Sequence, residues 1–135
     1  MSMFANKAAN AYRQTEVQSR TPLELVVMLY DGALRFVALA RSALERKDIR
    51  ARQQAISRAL AIMSELQSTL DMEKGGEIAV SLDALYVYIN GRILEGASKQ
   101  NLGALDEAAH LLTTLRDAWS GIAQPGGATG APEKR

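Results

Sequence analysis

Apolar residues recur every three or four positions through most of the chain, which is the period of an amphipathic α-helix. Three short polar or glycine-containing segments interrupt this pattern. The pattern predicts four helices, over about residues 21–46, 49–72, 77–97 and 102–122. Their expected inward-facing residues are Ile56, Ala59, Leu60, Met63, Leu66 and Leu70 in the second helix, Ile78, Leu82, Leu85, Ile89 and Ile93 in the third, and Leu105, Ala108, Leu112, Leu115 and Trp119 in the fourth.

Helix start and stop signals support these boundaries. Residues 21–24 read Thr-Pro-Leu-Glu, a capping box with proline at the first helical position. Asp48 and Asn101 are suited to cap the second and fourth helices. The Lys74-Gly75-Gly76 segment is expected to end the second helix. Asp71 and Glu73 are expected to lie in a solvated turn and to bond neighbouring backbone.

Long helices joined by short turns pack as antiparallel neighbours, so the fold expected is an all-α, up-down four-helix bundle. The bundle should span residues 21–122. Residues 1–20 are polar and poorly periodic, and we expect a mobile or loosely docked segment there. Residues 123–135 are rich in Gly, Ala and Pro and are expected to be disordered.

The first helix carries more apolar surface than a small bundle can bury. Large apolar residues cover about two-thirds of its circumference, whereas an amphipathic helix needs an apolar stripe only a little wider than about 100°. One edge of the surplus contains Leu23, Val27, Tyr30 and Leu34, and the opposite edge contains Met28, Phe36 and Leu39.

The third helix has a second apolar stripe opposite its expected core face. Val80, Val87 and Leu94 are seven residues apart and therefore share one face, and Ala84 and Gly91 flank them. Small residues beside an apolar stripe form a shallow groove in which a partner helix can lie. Three other interpretations stay open: packing against residues 1–20, an irregular bundle that buries more of the surface, and a homodimer interface.

Composition narrows the functional classes. The 135 residues are 47% hydrophobic, which suits a single globular domain, and the net charge of +1 argues against a nucleic-acid or anionic-membrane partner. The absence of cysteine removes disulfides and thiol chemistry and fits a cytoplasmic protein. The first residues lack the apolar core of a secretory signal, and charges interrupt every window long enough to span a membrane.

The sequence offers little catalytic chemistry. His110 is the one histidine, so a histidine-based triad or zinc site is poorly supported. Glu107 and His110 have the Glu-x-x-His spacing of di-iron bundles, but such a site needs the motif on two helices. We therefore expect no metal, no cofactor and no enzymatic activity.

Several short motifs resemble the FliS family of flagellin export chaperones. They are AY at 11–12, TPLELVVMLYDGALRF at 21–36, TLDME at 69–73, LYVYINGRI at 85–93 and LRDAW at 115–119. They follow one another with similar spacing over about residues 5–122, and together they are specific. The family more often has Thr at the position of Ala118, a minor departure.

The resemblance implies a cytoplasmic four-helix bundle that binds the C-terminal segment of newly made flagellin. Binding in that family prevents premature polymerisation and keeps flagellin ready for the flagellar type III export apparatus. The family's N-terminal segment can fold back over part of the client surface, and in this chain a short helix could form around Ala5 to Gln14. Its tyrosine, matching Tyr12 here, is implicated in this switch and in docking to the export gate.

Combining the pattern with the resemblance gives one hypothesis for the binding surface. The expected flagellin-binding residues are Val80, Ala84, Val87, Gly91 and Leu94, with Tyr30 and Leu34 as further candidates. The alternative is a generic helical adaptor, or a homodimer whose apolar stripes mediate self-association.

Overall fold

The computed structural model describes residues 21–123, which form four α-helices and, within that range, no strand. The helices are α1 (Pro22–Arg46), α2 (Ile49–Ser68), α3 (Met72–Ser98) and α4 (Leu102–Ala123). The predicted all-α bundle is confirmed. The expectations for residues 1–20 and 124–135 lie outside the described residues, and Ala123 is the last residue of α4.

The helices are arranged around the bundle in chain order. α1 packs against α2 and α4, and α3 packs against the same two helices, whereas α1 and α3 barely touch. α1 and α3 are therefore diagonal partners, and their outer faces point away from each other. None of the helices in the described part of the chain has the length and apolar character needed to cross a membrane.

Side-chain caps fix the predicted helix starts. The Thr21 Oγ1 accepts a hydrogen bond from the Glu24 N–H at 3.1 Å, and the Glu24 carboxylate accepts one from the Thr21 N–H at 2.9 Å. Asp48 caps α2 by accepting from the Ala51 N–H. Asn101 accepts from the Ala104 N–H at the start of α4. These bonds satisfy N–H groups that the first helical turn leaves without partners.

The boundary between the second and third helices differs from the prediction. α2 ends at Ser68 instead of near 72, and α3 begins at Met72, before the glycines that were expected to end α2. The Asp71 carboxylate accepts hydrogen bonds from the N–H groups of Glu73 and Lys74 and so starts a new helix. Gly76, with φ +53° and ψ −130°, kinks α3 after its first turn.

The core follows the predicted faces of α2 and α4 closely, but the inward face of α3 is rotated. Ile78, expected in the core, is 72% exposed, whereas Ala79 and Tyr86 are buried beside Ile89 and Ile93. The largest fully buried side chains are Tyr30, Val37, Met63, Leu66, Tyr86, Ile89, Ile93, Leu105 and Leu112.

A tyrosine pair crosses the centre of the bundle. The hydroxyls of Tyr30 on α1 and Tyr86 on α3 are hydrogen-bonded to each other, and the ring centres lie 6.4 Å apart. Burial raises the pKa of both phenols, so both hydroxyls stay protonated at neutral pH. The pair links the two diagonal helices without leaving a buried hydroxyl unsatisfied.

Candidate functional site

The second apolar stripe of the third predicted helix is on the surface of the bundle. Val80, Val87 and Leu94 are 57%, 56% and 51% exposed, and Ala84 and Gly91 between them are exposed as well. At 1.5 Å per residue, the stripe runs for about 21 Å along α3. We call these five residues the α3 stripe.

The packing of α3 explains why the stripe is exposed. α2 and α4 cover the opposite face of this helix, where Tyr86, Ile89 and Ile93 are at most 1% exposed. A Cβ atom added at Gly91 would meet no atom within 4 Å, so the surface is open and shallow at this point. The stripe is therefore an apolar surface that no described residue covers.

An apolar groove continues from the Leu94 end of the stripe. Its volume is about 450 Å³, and it lies between α2 and α3 and includes Ile56, Leu60 and Leu94. A second groove of about 360 Å³ includes Ile78 and Leu85 of α3 but no residue of the stripe. A partner lying along the stripe can therefore extend sideways into apolar surface at the Leu94 end.

A polar cluster borders the stripe on the side of α4. The Tyr88 hydroxyl donates a hydrogen bond to the Glu107 carboxylate at 2.7 Å, and the Arg92 guanidinium lies 2.7 Å from the same carboxylate. The hydrogen bond from Tyr88 lowers the pKa of Glu107, and the same bond raises the pKa of Tyr88. This cluster joins α3 to α4 and provides hydrogen-bonding groups beside the apolar surface.

Tyr30 and Leu34 do not belong to this surface. Tyr30 is fully buried, with its hydroxyl on Tyr86, so the expectation that its side chain borders a groove is corrected. Leu34 is half-buried and packs against the core. Both residues lie on α1, diagonally across the bundle from α3, because α2 and α4 separate the two helices. Tyr12 lies outside the described residues.

A further apolar groove, which the sequence pattern did not predict, lies at the end of the bundle where α1 begins. Its volume is about 460 Å³, and we call it the end groove. It combines the first turns of α1, the turn that follows α2, the kinked start of α3 and Trp119 of α4. Its apolar lining includes Leu23, Val26, Leu29, Leu70, Ile78, Leu82 and Trp119.

The residues that form the end groove are far apart in the sequence, although some of them carry recognisable sequence features. The surplus apolar edge of α1 included Leu23, and Gly76 permits the kink that moves the first turn of α3. Only the tertiary arrangement brings these residues together with Trp119. A helical wheel treats each helix alone and cannot show a groove built from four helices.

Between residues 21 and 123, no three His, Asp or Glu side chains lie close enough together to hold a metal ion. His110 is exposed, and its sequence neighbour Glu107 is engaged by Tyr88 and Arg92. What the arrangement can do is bind an apolar partner.

Residues 5–126 match the family model described as "Flagellar protein FliS". The chain is 36% identical over 124 residues to flagellar secretion chaperone FliSB of Pseudomonas aeruginosa, covering 89% of this chain and 98% of that protein. It is 37% identical over 125 residues to flagellar secretion chaperone FliS of Salmonella typhimurium, covering 89% and 93%. The corresponding protein of Bacillus subtilis is 37% identical over 109 residues, covering 81% and 80%. The chain belongs to the FliS family, as its motifs indicated.

Proposed function

We propose that this protein is a cytoplasmic flagellar secretion chaperone that binds the C-terminal segment of flagellin. Bound in this way, the flagellin is kept from premature polymerisation and is delivered to the flagellar type III export apparatus. Two lines of support meet here. The relatives are named flagellar secretion chaperones, and the α3 stripe is an exposed apolar surface of the length and shape that an amphipathic helix needs. The exposure of the stripe is the observation that carries the proposal.

The magnitudes indicate that the client must contact more than the stripe. Val80, Val87 and Leu94 are already about half-buried, so covering them completely contributes on the order of 1 kcal/mol each. A segment that folds on binding loses about 2–5 kcal/mol in ordering. The stripe alone therefore does not give tight binding. Apolar surface beyond the stripe, such as the groove at Leu94, must contribute, and the client segment must be longer than the stripe.

The five residues of the α3 stripe form the proposed client-binding site. Gly91 and Ala84 keep the surface low between the three larger side chains, so a partner helix can approach the α3 backbone closely. Tyr88 and Arg92 lie at the side and are placed to bond polar groups on the client. The homodimer interpretation uses the same surface and is distinguished by experiment.

For the N-terminal segment, the proposal is that residues 1–20 act as a switch over the client surface and that Tyr12 serves docking to the export gate. Pro22 and Leu23 line the end groove, so the preceding residues join the bundle beside apolar surface. Tyr12→Ala should leave flagellin binding intact and reduce flagellin secretion. If the substitution abolishes binding instead, Tyr12 acts in client capture and the docking role is wrong.

The proposed activity requires no catalytic residue and no nucleotide. The client is released when it is handed to another partner, so the free energy comes from a competing interaction and not from hydrolysis. The protein is accordingly proposed to be a binding protein and not an enzyme.

Mixing the full chain with the C-terminal segment of flagellin tests the proposal. Size-exclusion chromatography with light scattering should show a one-to-one complex, while the protein alone elutes as a monomer. A tight homodimer that forms no complex with the flagellin segment would contradict the proposal and support the self-association alternative.

A further inference from the structure

A separate apolar groove, which includes no residue of the α3 stripe, lies between α1 and α2. Its volume is about 290 Å³. Phe36 and Leu39 of α1 and Ala51 and Ala55 of α2 supply its apolar walls. Gln54, Arg46 and Arg58 complete the lining, and we call the whole feature the basic groove.

The Phe36 ring lies close to two positively charged side chains. The guanidinium carbons of Arg35 and Arg58 lie 5.0 Å and 5.8 Å from the centre of its ring, within the range of a cation–π contact. Among residues 21–123, neither arginine has a carboxylate within 4.0 Å. Arg46 has one, Asp48, at 3.4 Å. Arg35 and Arg58 therefore lie against an aromatic ring, and no carboxylate among residues 21–123 pairs with them.

The charge is concentrated in this part of the chain. Residues 46–58 contain five basic side chains and one acidic side chain, whereas residues 65–83 contain five acidic side chains and one basic side chain. The near-neutral net charge of the protein therefore conceals a strong local asymmetry. A positive potential around an apolar groove favours partners that carry negative charge beside apolar side chains.

We propose that the basic groove binds an acidic amphipathic segment of a partner protein. One large apolar side chain of that segment enters the groove against Phe36 and Leu39, and flanking carboxylates pair with Arg58 and Arg46. A volume of about 290 Å³ is just below the range of small-molecule pockets, which begins at roughly 300 Å³. The groove therefore suits an anchoring side chain better than a complete ligand.

Charge complementarity selects a protein segment over other anionic partners. A nucleic-acid interface requires a basic surface that follows the phosphate backbone, and this cluster is local and has an apolar floor. A second copy of the chain could offer its acidic residues 65–83, and such a head-to-tail contact produces filaments when its rotation does not close a ring.

The basic groove and the α3 stripe have no residue in common. The basic groove opens between α1 and α2, whereas the α3 stripe is on the helix diagonal to α1. The inference holds whether or not flagellin is the client on α3.

The test uses the full chain and two fluorescein-labelled helical peptides of about 15 residues, a length that a designed sequence needs for useful helicity. Both carry the same Leu and Phe face, flanked by Glu in one peptide and by Lys in the other. Fluorescence anisotropy should show binding of the Glu peptide only, with affinity that falls as salt is raised.

Matched variants of the protein test whether the Glu peptide binds in the basic groove. Arg58→Glu reverses a charge of the groove and should weaken binding of the Glu peptide by about tenfold or more. Arg50→Glu makes the same change of net charge at an exposed position of α2 outside the groove, and should weaken it by less than about threefold. If Arg58→Glu lowers the melting temperature, Leu39→Asp provides the same test, because Leu39 is 48% exposed.

Four results would overturn the proposal. The first is equal binding of the Glu and Lys peptides, and the second is an equal loss in Arg58→Glu and Arg50→Glu. The third is binding to duplex DNA or to phosphatidylglycerol vesicles without binding of the Glu peptide, which would assign the groove to another class of partner. The fourth is concentration-dependent filament formation that Arg58→Glu abolishes, which would identify a second copy of the chain as the occupant.

Discussion

The two faces of α3 have similar side chains and opposite surroundings. On the inner face, Ile89 and Ile93 are fully buried, whereas Val87 and Leu94 on the outer face remain 56% and 51% exposed. All four are branched aliphatic residues within two turns of the same helix. Hydrophobicity alone therefore does not distinguish a residue that stabilises the fold from one that is available to a partner. The position of α2 and α4 makes that distinction.

The difference has a consequence in free energy. Burial of Ile89 already contributes to the folded state, because its side chain has left water during folding. The exposed part of the Val87 side chain remains in water, so its burial can contribute free energy only when another chain covers it. The inner face should control unfolding, and the outer face should control binding.

The largest effect is expected at the inner face. Ile89→Ala should reduce the free energy of unfolding by about 2–5 kcal/mol, because it removes buried methyl groups and leaves a cavity. Val87→Ala should change it by no more than about 0.5 kcal/mol. Urea denaturation followed by circular dichroism measures both. Similar losses in the two variants would show that Val87 is part of the core.

Replacing either of two glycines on α3 by alanine should change the stability of the protein, and the two changes should have opposite signs. Gly96 is buried, and a Cβ atom there would lie 2.5 Å from Leu105, so Gly96→Ala should destabilise the protein by about 1–3 kcal/mol through overpacking. Gly91 is exposed with open space around it, and Gly91→Ala should stabilise by about 0.5–1 kcal/mol through helix propensity. Thermal melts of the two variants should shift in opposite directions. A shift in the same direction would contradict the assignment of the two faces.

A smaller effect is expected at the tyrosine pair. Tyr86→Phe leaves the buried Tyr30 hydroxyl without its Tyr86 partner and should cost about 1–2 kcal/mol. The double variant Tyr30→Phe/Tyr86→Phe should lose less than the sum of the two single variants, since it removes both polar groups. Urea denaturation of the four proteins gives the coupling energy. Strict additivity would mean that the hydroxyls do not stabilise each other.

Structural features that depend on residues close together in the chain could be predicted from the sequence. The capping box at Thr21 and Glu24 and the caps at Asp48 and Asn101 depend on residues three positions apart. The α3 stripe was visible because Val80, Val87 and Leu94 repeat at helical spacing. Each of these signals lies within one helix or one turn.

The boundary between α2 and α3 could have been predicted better. The hydroxyls of Ser68 and Thr69 bond to the carbonyls of Glu65 and Leu66, and Asp71 then caps the next helix. Glu73 in the first turn is a further start signal. The Gly75-Gly76 pair does not end a helix here, because glycine with a positive φ can kink a helix without ending it.

The burial of Tyr30 and the exposure of Ile78 became clear only from the tertiary structure. Their spacing allowed either a core or a surface position, and the rotation of α3 placed Tyr86, not Ile78, opposite Tyr30. The end groove and the basic groove also combine residues from different helices. One sequence read helix by helix contains no information on which faces will adjoin.

The most direct test of the proposed client surface is isothermal titration of the flagellin C-terminal segment into Val87→Asp. The matched control is Thr113→Asp, which introduces the same charge at an exposed position of α4. Val87→Asp should lose most of the binding with its melting temperature nearly unchanged, and Thr113→Asp should bind like the unaltered protein. Full binding by Val87→Asp, or a collapse of its melting temperature, would contradict the assignment of the outer face of α3 to the client.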